Sequence, residues 1–139
     1  TKLSVTQHLI KYLKIAENPK TKNRDYYYFL IGNCYINMTQ YGHAWMMRRF
    51  NSTTDYREGN QESFWDEWEY RNGYLAQKYY HLAYEHAQTD AFKALCLRME
   101  DYVQTAEDPK FKKLKANYPD YYDDLSSCEH LETYFKKRR

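Results

Sequence analysis

Residues 26–45 read YYYFLIGNCYINMTQYGHAW, Tyr26–Trp45, and their spacing decides the fold. Tyr28, Ile31, Gly32 and Tyr35 put an aromatic, an aliphatic, a glycine and a second aromatic on one side of a helix. Met38-Thr39-Gln40 is a polar turn, and Tyr41 and Ala44 begin a second helix. A glycine on the inner face of a helix lets a neighbouring helix approach closely. Aromatic rings one turn to either side fill the flanking holes, and a small alanine on the partner receives them. The stretch therefore predicts two packed helices joined by a short turn.

The composition around this stretch fits the same class. At 139 residues the chain is one domain, long enough to bury a core. A mean hydropathy of -1.03 leans toward disorder. The aromatic content of 19% argues the other way, because tyrosine scores as polar while burying a large ring. A net charge of +2 lacks the charge excess of disordered chains. Four Gly and three Pro leave little material for hairpins, so the expected class is all-α. Lys and Arg are interspersed with Asp and Glu, which argues against nucleic acid as a partner. The one basic cluster, Lys136-Lys137-Arg138-Arg139, reads as a solvated helix end. Cys34, Cys96 and Cys128 form no C-x-x-C pair and read as buried, inert thiols. The longest apolar runs fall far short of the roughly 20 residues of a membrane span, so no membrane insertion is expected. The chain starts at Thr1, and the expectation is a domain of a longer chain. An exported or periplasmic location is weighed above a cytoplasmic one.

Upstream, residues 4–17 read as a helix with Leu9, Ile10, Leu13 and Ala16 as its apolar stripe, stopped by Asn18-Pro19. Asp25 opens the next helix, to about Met38, and residues 42–50 continue as its pair. Residues 51–61, NSTTDYREGNQ, are a polar break. Glu62–Gln88 is the longest helical pattern, carried by Phe64, Trp65, Trp68, Leu75, Tyr79, Leu82 and Ala83, with Gly73 as a bend or close contact. Thr89-Asp90 caps a helix to about Gln104 whose inward stripe is Ala91, Ala94, Leu95, Met99 and Tyr102. A short helix spans residues 109–117, Tyr118-Pro119 breaks it, and residues 120–137 form the last helix, with Tyr121, Leu125, Cys128, Leu131 and Phe135 on one face. The total is about six to seven helices in antiparallel pairs.

The Tyr28–Ala44 spacing resembles the first helix, turn and second-helix start of a tetratricopeptide repeat. Arg48 departs from it, standing where a strict repeat carries an aromatic. Ala76, Tyr80, Ala83 and Ala87 resemble the small-aromatic-small rhythm of a second repeat helix. The chain also resembles C-terminal regions of large Bacteroidetes proteins that carry no assigned activity. The matching segments are Phe29–Trp45, Ala76–Ala87 and, more loosely, Phe111–Tyr118. The resemblance implies a single tetratricopeptide-like (TPR-like) α-α superhelix over residues 1–139.

No enzymatic motif accompanies the fold. The five His lack H-E-x-x-H or paired-ligand spacing, so no metal or cofactor is expected. Glu62, Asp66, Glu67 and Glu69 lie on one helix start, which does not set two carboxylates across a cleft. There is no Gly-rich phosphate loop, G-x-S-x-G or dinucleotide fingerprint. Tyr26, Tyr27 and Tyr28 occupy successive positions and cannot all point inward. The expected function is non-catalytic docking of a protein or peptide on a concave helical surface, with Tyr27, Asn33, Tyr35, Asn37 and Gln40 as its candidates. Asn33, beside the packing glycine, is placed to clamp a peptide backbone. One alternative is a carbohydrate platform at Trp65 and Trp68. Another is a purely structural domain of a larger exported protein.

Overall fold

The close approach expected at Gly32 organises the molecule. The computed structural model describes residues 2–42, 68–104, 111–127 and 129–138. Its helices are α1 (Lys2–Glu17), α2 (Arg24–Ile36), α3 (Tyr74–His86), α4 (Asp90–Gln104), α5 (Lys112–Asn117), α6 (Pro119–Ser126) and α7 (Leu131–Lys136). Residues 68–72 are also helical, and no strand occurs among the described residues. The fold is all-α, built from packed helix pairs.

The helix seated on Gly32 is α3. Tyr80 has no exposed surface, and Ala76 and Ala83 one turn to either side of it are equally buried. A Cβ placed on Gly32 would lie 2.7 Å from Cδ1 and Cε1 of Tyr80. Tyr28 and Tyr35 meet the neighbouring Tyr79 ring at 6.2 and 5.5 Å. The start of α2 meets the end of α3 through Tyr28 and His86 at 5.2 Å. Past the end of α2, the Gln40 N–H donates to the Tyr70 carbonyl at 2.9 Å. The two helices therefore run antiparallel. The small-aromatic-small rhythm of Ala76, Tyr80 and Ala83 thus serves as the complement of Gly32. The expected pairing helix at 42–50, with Ala44, lies outside the described residues beyond Gly42, as does the polar break at 51–61.

On the other side of α2, α1 folds back antiparallel. The connector is tied down by Thr21 Oγ1 donating to the Ile15 carbonyl at 2.7 Å and Arg24 Nε to the Ala16 carbonyl at 3.0 Å. Leu9 and Ala16 are buried, but Ile10 is 49% exposed, against the expected stripe. Neighbours in a helix point about 100° apart, so burying Leu9 turns Ile10 outward. Val5 and Tyr12 pack against the core in its place.

The expected helix from Glu62 to Gln88 is interrupted at Gly73, whose φ of 61° is left-handed. That conformation favours glycine, and the crowding there also excludes a side chain: a Cβ would meet Val103 Cγ1 at 2.7 Å. Two members of the expected stripe, Trp68 and Leu75, are 44% and 37% exposed; Leu75 points outward because α3 buries its alanine-tyrosine face, and Trp68 precedes the break at Gly73.

Helix α4 is enclosed on most sides. Besides Phe92, Ala94, Leu95, Cys96, Leu97 and Val103 it buries Arg98, Glu100 and Asp101. The expected Ala91, Met99 and Tyr102 are only half-buried. Thr89 caps the helix as expected, its Oγ1 accepting the Phe92 N–H at 3.2 Å. Arg98 Nε donates to the Leu125 carbonyl at 3.2 Å, and its guanidinium lies over the Phe111 and Tyr102 rings at 5.1 and 5.3 Å. Asp101 accepts the Leu114 N–H at 3.4 Å, serving the start of α5, whose own N-cap, Phe111, makes no side-chain cap bond. Burial holds the Asp101 carboxyl above the usual carboxylate range, opposed by its hydrogen bonds to the Leu114 and Lys113 backbone.

The single last helix expected over 120–137 is two helices, α6 and α7. The Ser126 and Ser127 hydroxyls donate back to the Asp123 and Asp124 carbonyls at 2.9 and 3.2 Å, and Ser127 is extended. Such local bonds compete with the helix backbone. Cys128 lies outside the described residues. The break lets α7 turn inward. Tyr134 is buried and donates its hydroxyl to Asp124 Oδ2 at 2.8 Å; burial, with Asp124 second, pushes the phenol up to about 12. Phe135 reaches Phe29 of α2 at 5.3 Å and Phe92 of α4 at 6.3 Å. The chain end thus packs on helices from its beginning and middle.

Candidate binding site

The run Tyr26-Tyr27-Tyr28 divides between the two sides of α2. Tyr28 is buried toward α3, while Tyr26 and Tyr27 are half-exposed. Phe135 meets Tyr26 at 5.6 Å, Tyr26 meets Tyr27 at 5.2 Å, Tyr27 meets Tyr12 at 6.1 Å, and Tyr12 meets His8 at 5.8 Å. A chain of rings therefore crosses from α7 over α2 to α1.

Asn33 lies one turn further along this face. The Tyr80 ring passes under Gly32, and its hydroxyl donates to Asn33 Oδ1 at 2.7 Å. Burial pushes the Tyr80 phenol far up, so it remains a protonated donor. The glycine is what lets the ring through; the ring then fixes the amide. With Oδ1 engaged, the Nδ2 donors of Asn33 have no intramolecular partner among the described residues.

Leu30 and Asn33 form a ridge between two clefts. One, of about 240 Å³, lies between α1 and α2 against Val5, His8, Tyr12, Cys34 and Asn37. The other, of about 280 Å³, is bounded by Phe29 of α2, Leu95 and Met99 of α4, and Leu131, Glu132 and Phe135 of α7. The second is an apolar trench with an amide on one wall and a carboxylate on the other. Glu132 is exposed and pairs with Lys136 at 3.4 Å, an i,i+4 contact of little strength in water. In the first cleft, His8 Nδ1 contacts the Ser4 carbonyl at 2.7 Å, and burial pushes the Cys34 thiol up, away from nucleophilic character.

The five candidate residues divide. Tyr27, Asn33 and Asn37 lie along these clefts and the ring chain, with Asn37 Nδ2 donating to the Asn33 carbonyl at 2.9 Å. Tyr35 stacks on Tyr79 at 5.5 Å, on the α3 side of α2. Gln40 fastens the turn, its Nε2 donating to the Arg71 carbonyl at 2.7 Å. Leu30, Met99 and Phe135 complete the site and were not among the candidates. Tyr26, Leu30, Asn33 and Asn37 follow a 4-3-4 spacing, which is one helical face and was readable in the sequence. The contributions of α4 and α7 required the tertiary fold.

A second feature lies apart. Trp68 and Tyr74 stack at 6.4 Å and 30°, and are 44% and 47% exposed. Between them in sequence, Glu69 accepts the Leu75 N–H at 2.9 Å, and burial holds its carboxyl above the usual range. Trp65 lies outside the described residues. Between α3 and α4, His81 contacts Glu85 at 3.4 Å and the buried Glu100 at 3.3 Å, joining the two helices.

Among the described residues no group of three His, Cys, Asp or Glu is placed to hold a metal, and no helix is long and apolar enough to cross a membrane. No family model matches the chain, and no curated protein or solved structure is significantly similar to it.

Proposed function

We propose that this chain is a non-catalytic, TPR-like binding module that takes a protein or peptide segment along α2. The observation that carries the proposal is the pinned Asn33 amide on the ridge between two clefts. An amide oriented by a buried phenol loses little freedom on binding, and its N–H donors suit a peptide carbonyl. Leu30, Leu95 and Met99 supply the apolar surface for an anchoring side chain, and Tyr26 and Tyr27 extend it. The pairing of Gly32 with Tyr80, flanked by the buried Ala76 and Ala83, supports the repeat resemblance.

The test is selection from a displayed peptide library, followed by titration of Asn33→Asp. That variant keeps an acceptor for Tyr80 and removes both N–H donors. Affinity should fall at least tenfold, with circular dichroism unchanged; undiminished binding would remove Asn33 from the site.

The stacked, half-exposed Trp68 and Tyr74 favour a second reading, carbohydrate binding. Glycan-array binding that disappears in Tyr74→Ala while peptide selection stays empty would establish it. An empty result in both screens would leave a structural domain of a longer protein.

A further inference from the structure

Helix α7 packs Phe135 between α2 and α4 and so closes one side of the trench. Helix α7 presents Leu131 and Phe135, four residues apart and hence on one helical side, as walls of the trench. The Phe135 ring lies within 5.3 Å of Phe29 and 5.6 Å of Tyr26, and reaches Phe92 from the opposite wall. Further ties of α7 reach across the fold, and Tyr134 is buried with its ring 5.8 Å from Tyr121. Thr89 Oγ1 donates to the Lys137 carbonyl at 2.7 Å, Arg138 lies over Tyr26 at 4.1 Å, and Tyr134 bonds Asp124. The helix is six residues long and follows an extended, exposed Ser127. About 280 Å³ remains unfilled between its Leu131 and Phe135 and the facing Leu30, Asn33, Leu95 and Met99.

We infer that α7 is an intramolecular ligand of this trench, and that the partner is a short amphipathic helix of the same chemistry, an aliphatic residue followed four positions later by an aromatic one, which competes with α7. The inference rests on the proposed peptide-binding role and specifies the partner for it. The apolar anchors of α7 line the open cleft, so a partner helix of that pattern would present the same two kinds of side chain to it. Asn33 also lines this cleft, and its Nδ2 donors suit a carbonyl of such a helix. A tethered occupant acts at an effective concentration near the millimolar range for a short linker. The intact chain should therefore bind a free helix weakly, and loosening α7 should raise its affinity.

The probe is a fluorescein-labelled peptide of residues 129–138, EHLETYFKKR, titrated by anisotropy into the full chain. Phe135→Ala protein should bind it at least tenfold more tightly than the unsubstituted protein. Leu30→Glu added to that variant, or alanine in place of the peptide's own phenylalanine, should abolish the gain. Equal affinity for both proteins, or a gain that survives Leu30→Glu, would overturn the inference. Hydrogen exchange on the unsubstituted chain keeps the test decisive if Phe135→Ala does not fold. The α7 amides should exchange through local opening well before those of α2 and α4; exchange only on global unfolding would overturn it. Library peptides that bind the trench while the 129–138 peptide does not would sink this inference and leave the binding role standing. Failure of both would remove both.

Discussion

Replacing Gly32 with alanine separates two opposed physical effects. In an isolated helix the change stabilises by about 1 kcal/mol, because alanine is the better helix former. Here the new Cβ would sit 2.7 Å from two carbons of Tyr80. That ring has no exposed surface and is held at its far end by Asn33, so it has no free direction in which to move. Separating α2 from α3 to relieve the contact costs about 1–3 kcal/mol as overpacking. Losing the Tyr80–Asn33 hydrogen bond adds about 1 kcal/mol. The expected net is destabilisation by about 2 kcal/mol, equivalent to a fall in Tm of about 7 °C for a chain this size. Urea denaturation followed by circular dichroism, with calorimetry for Tm, reads it. Gly32→Ala protein as stable as the parent, or more so, would mean that helix propensity dominates and that α3 does not press on α2 at this point.

Other perturbations follow from the same contacts. Gly73→Ala forces a side chain into a left-handed backbone and toward Val103, and should cost about 2–4 kcal/mol in urea unfolding. Tyr80→Phe should cost only about 1 kcal/mol, since half-exposed Asn33 can turn to water, but it should weaken peptide binding by freeing the amide. Asp101 has a folded-state pKa raised by burial, so the native state binds the extra proton and stability falls as pH rises from about 4 through the raised value. Asp101→Asn retains an acceptor for the Leu114 N–H without the charge. Its stability relative to the parent should be greatest at neutral pH and should shrink on acidification through that window; the opposite trend in denaturation midpoints would contradict the assignment. Cys34 and Cys96 are buried with raised thiol pKa values, so iodoacetamide at neutral pH should leave both unmodified by mass spectrometry until denaturant is added.

The all-α class was legible because few glycines and prolines accompany long three- and four-residue periodicities. The packing role of Gly32 was legible from its flanking aromatics. Its contact with Tyr80 was not, since that residue lies 48 positions further on and only the tertiary fold brings the two together. Periodicity also misplaced Ile10, Trp68 and Leu75. Each neighbours a buried residue or belongs to a second apolar stripe, and hydrophobicity alone does not choose between stripes. The continuous helix read over 120–137 failed at Ser126-Ser127, where side-chain hydroxyls bond the preceding turn. Asn33 was singled out for its place beside the glycine. Its phenol partner came from 47 residues away, and nothing local in the sequence announces it.

The binding role is best decided by following the Asn33 side-chain amide by NMR while a library-selected peptide is titrated. Binding as proposed shifts that amide together with Leu30, Leu95 and Met99 methyl signals lining the trench. Saturable binding that leaves Asn33 unmoved and shifts Trp68 and Tyr74 instead would contradict it and place the working surface at the exposed aromatic pair.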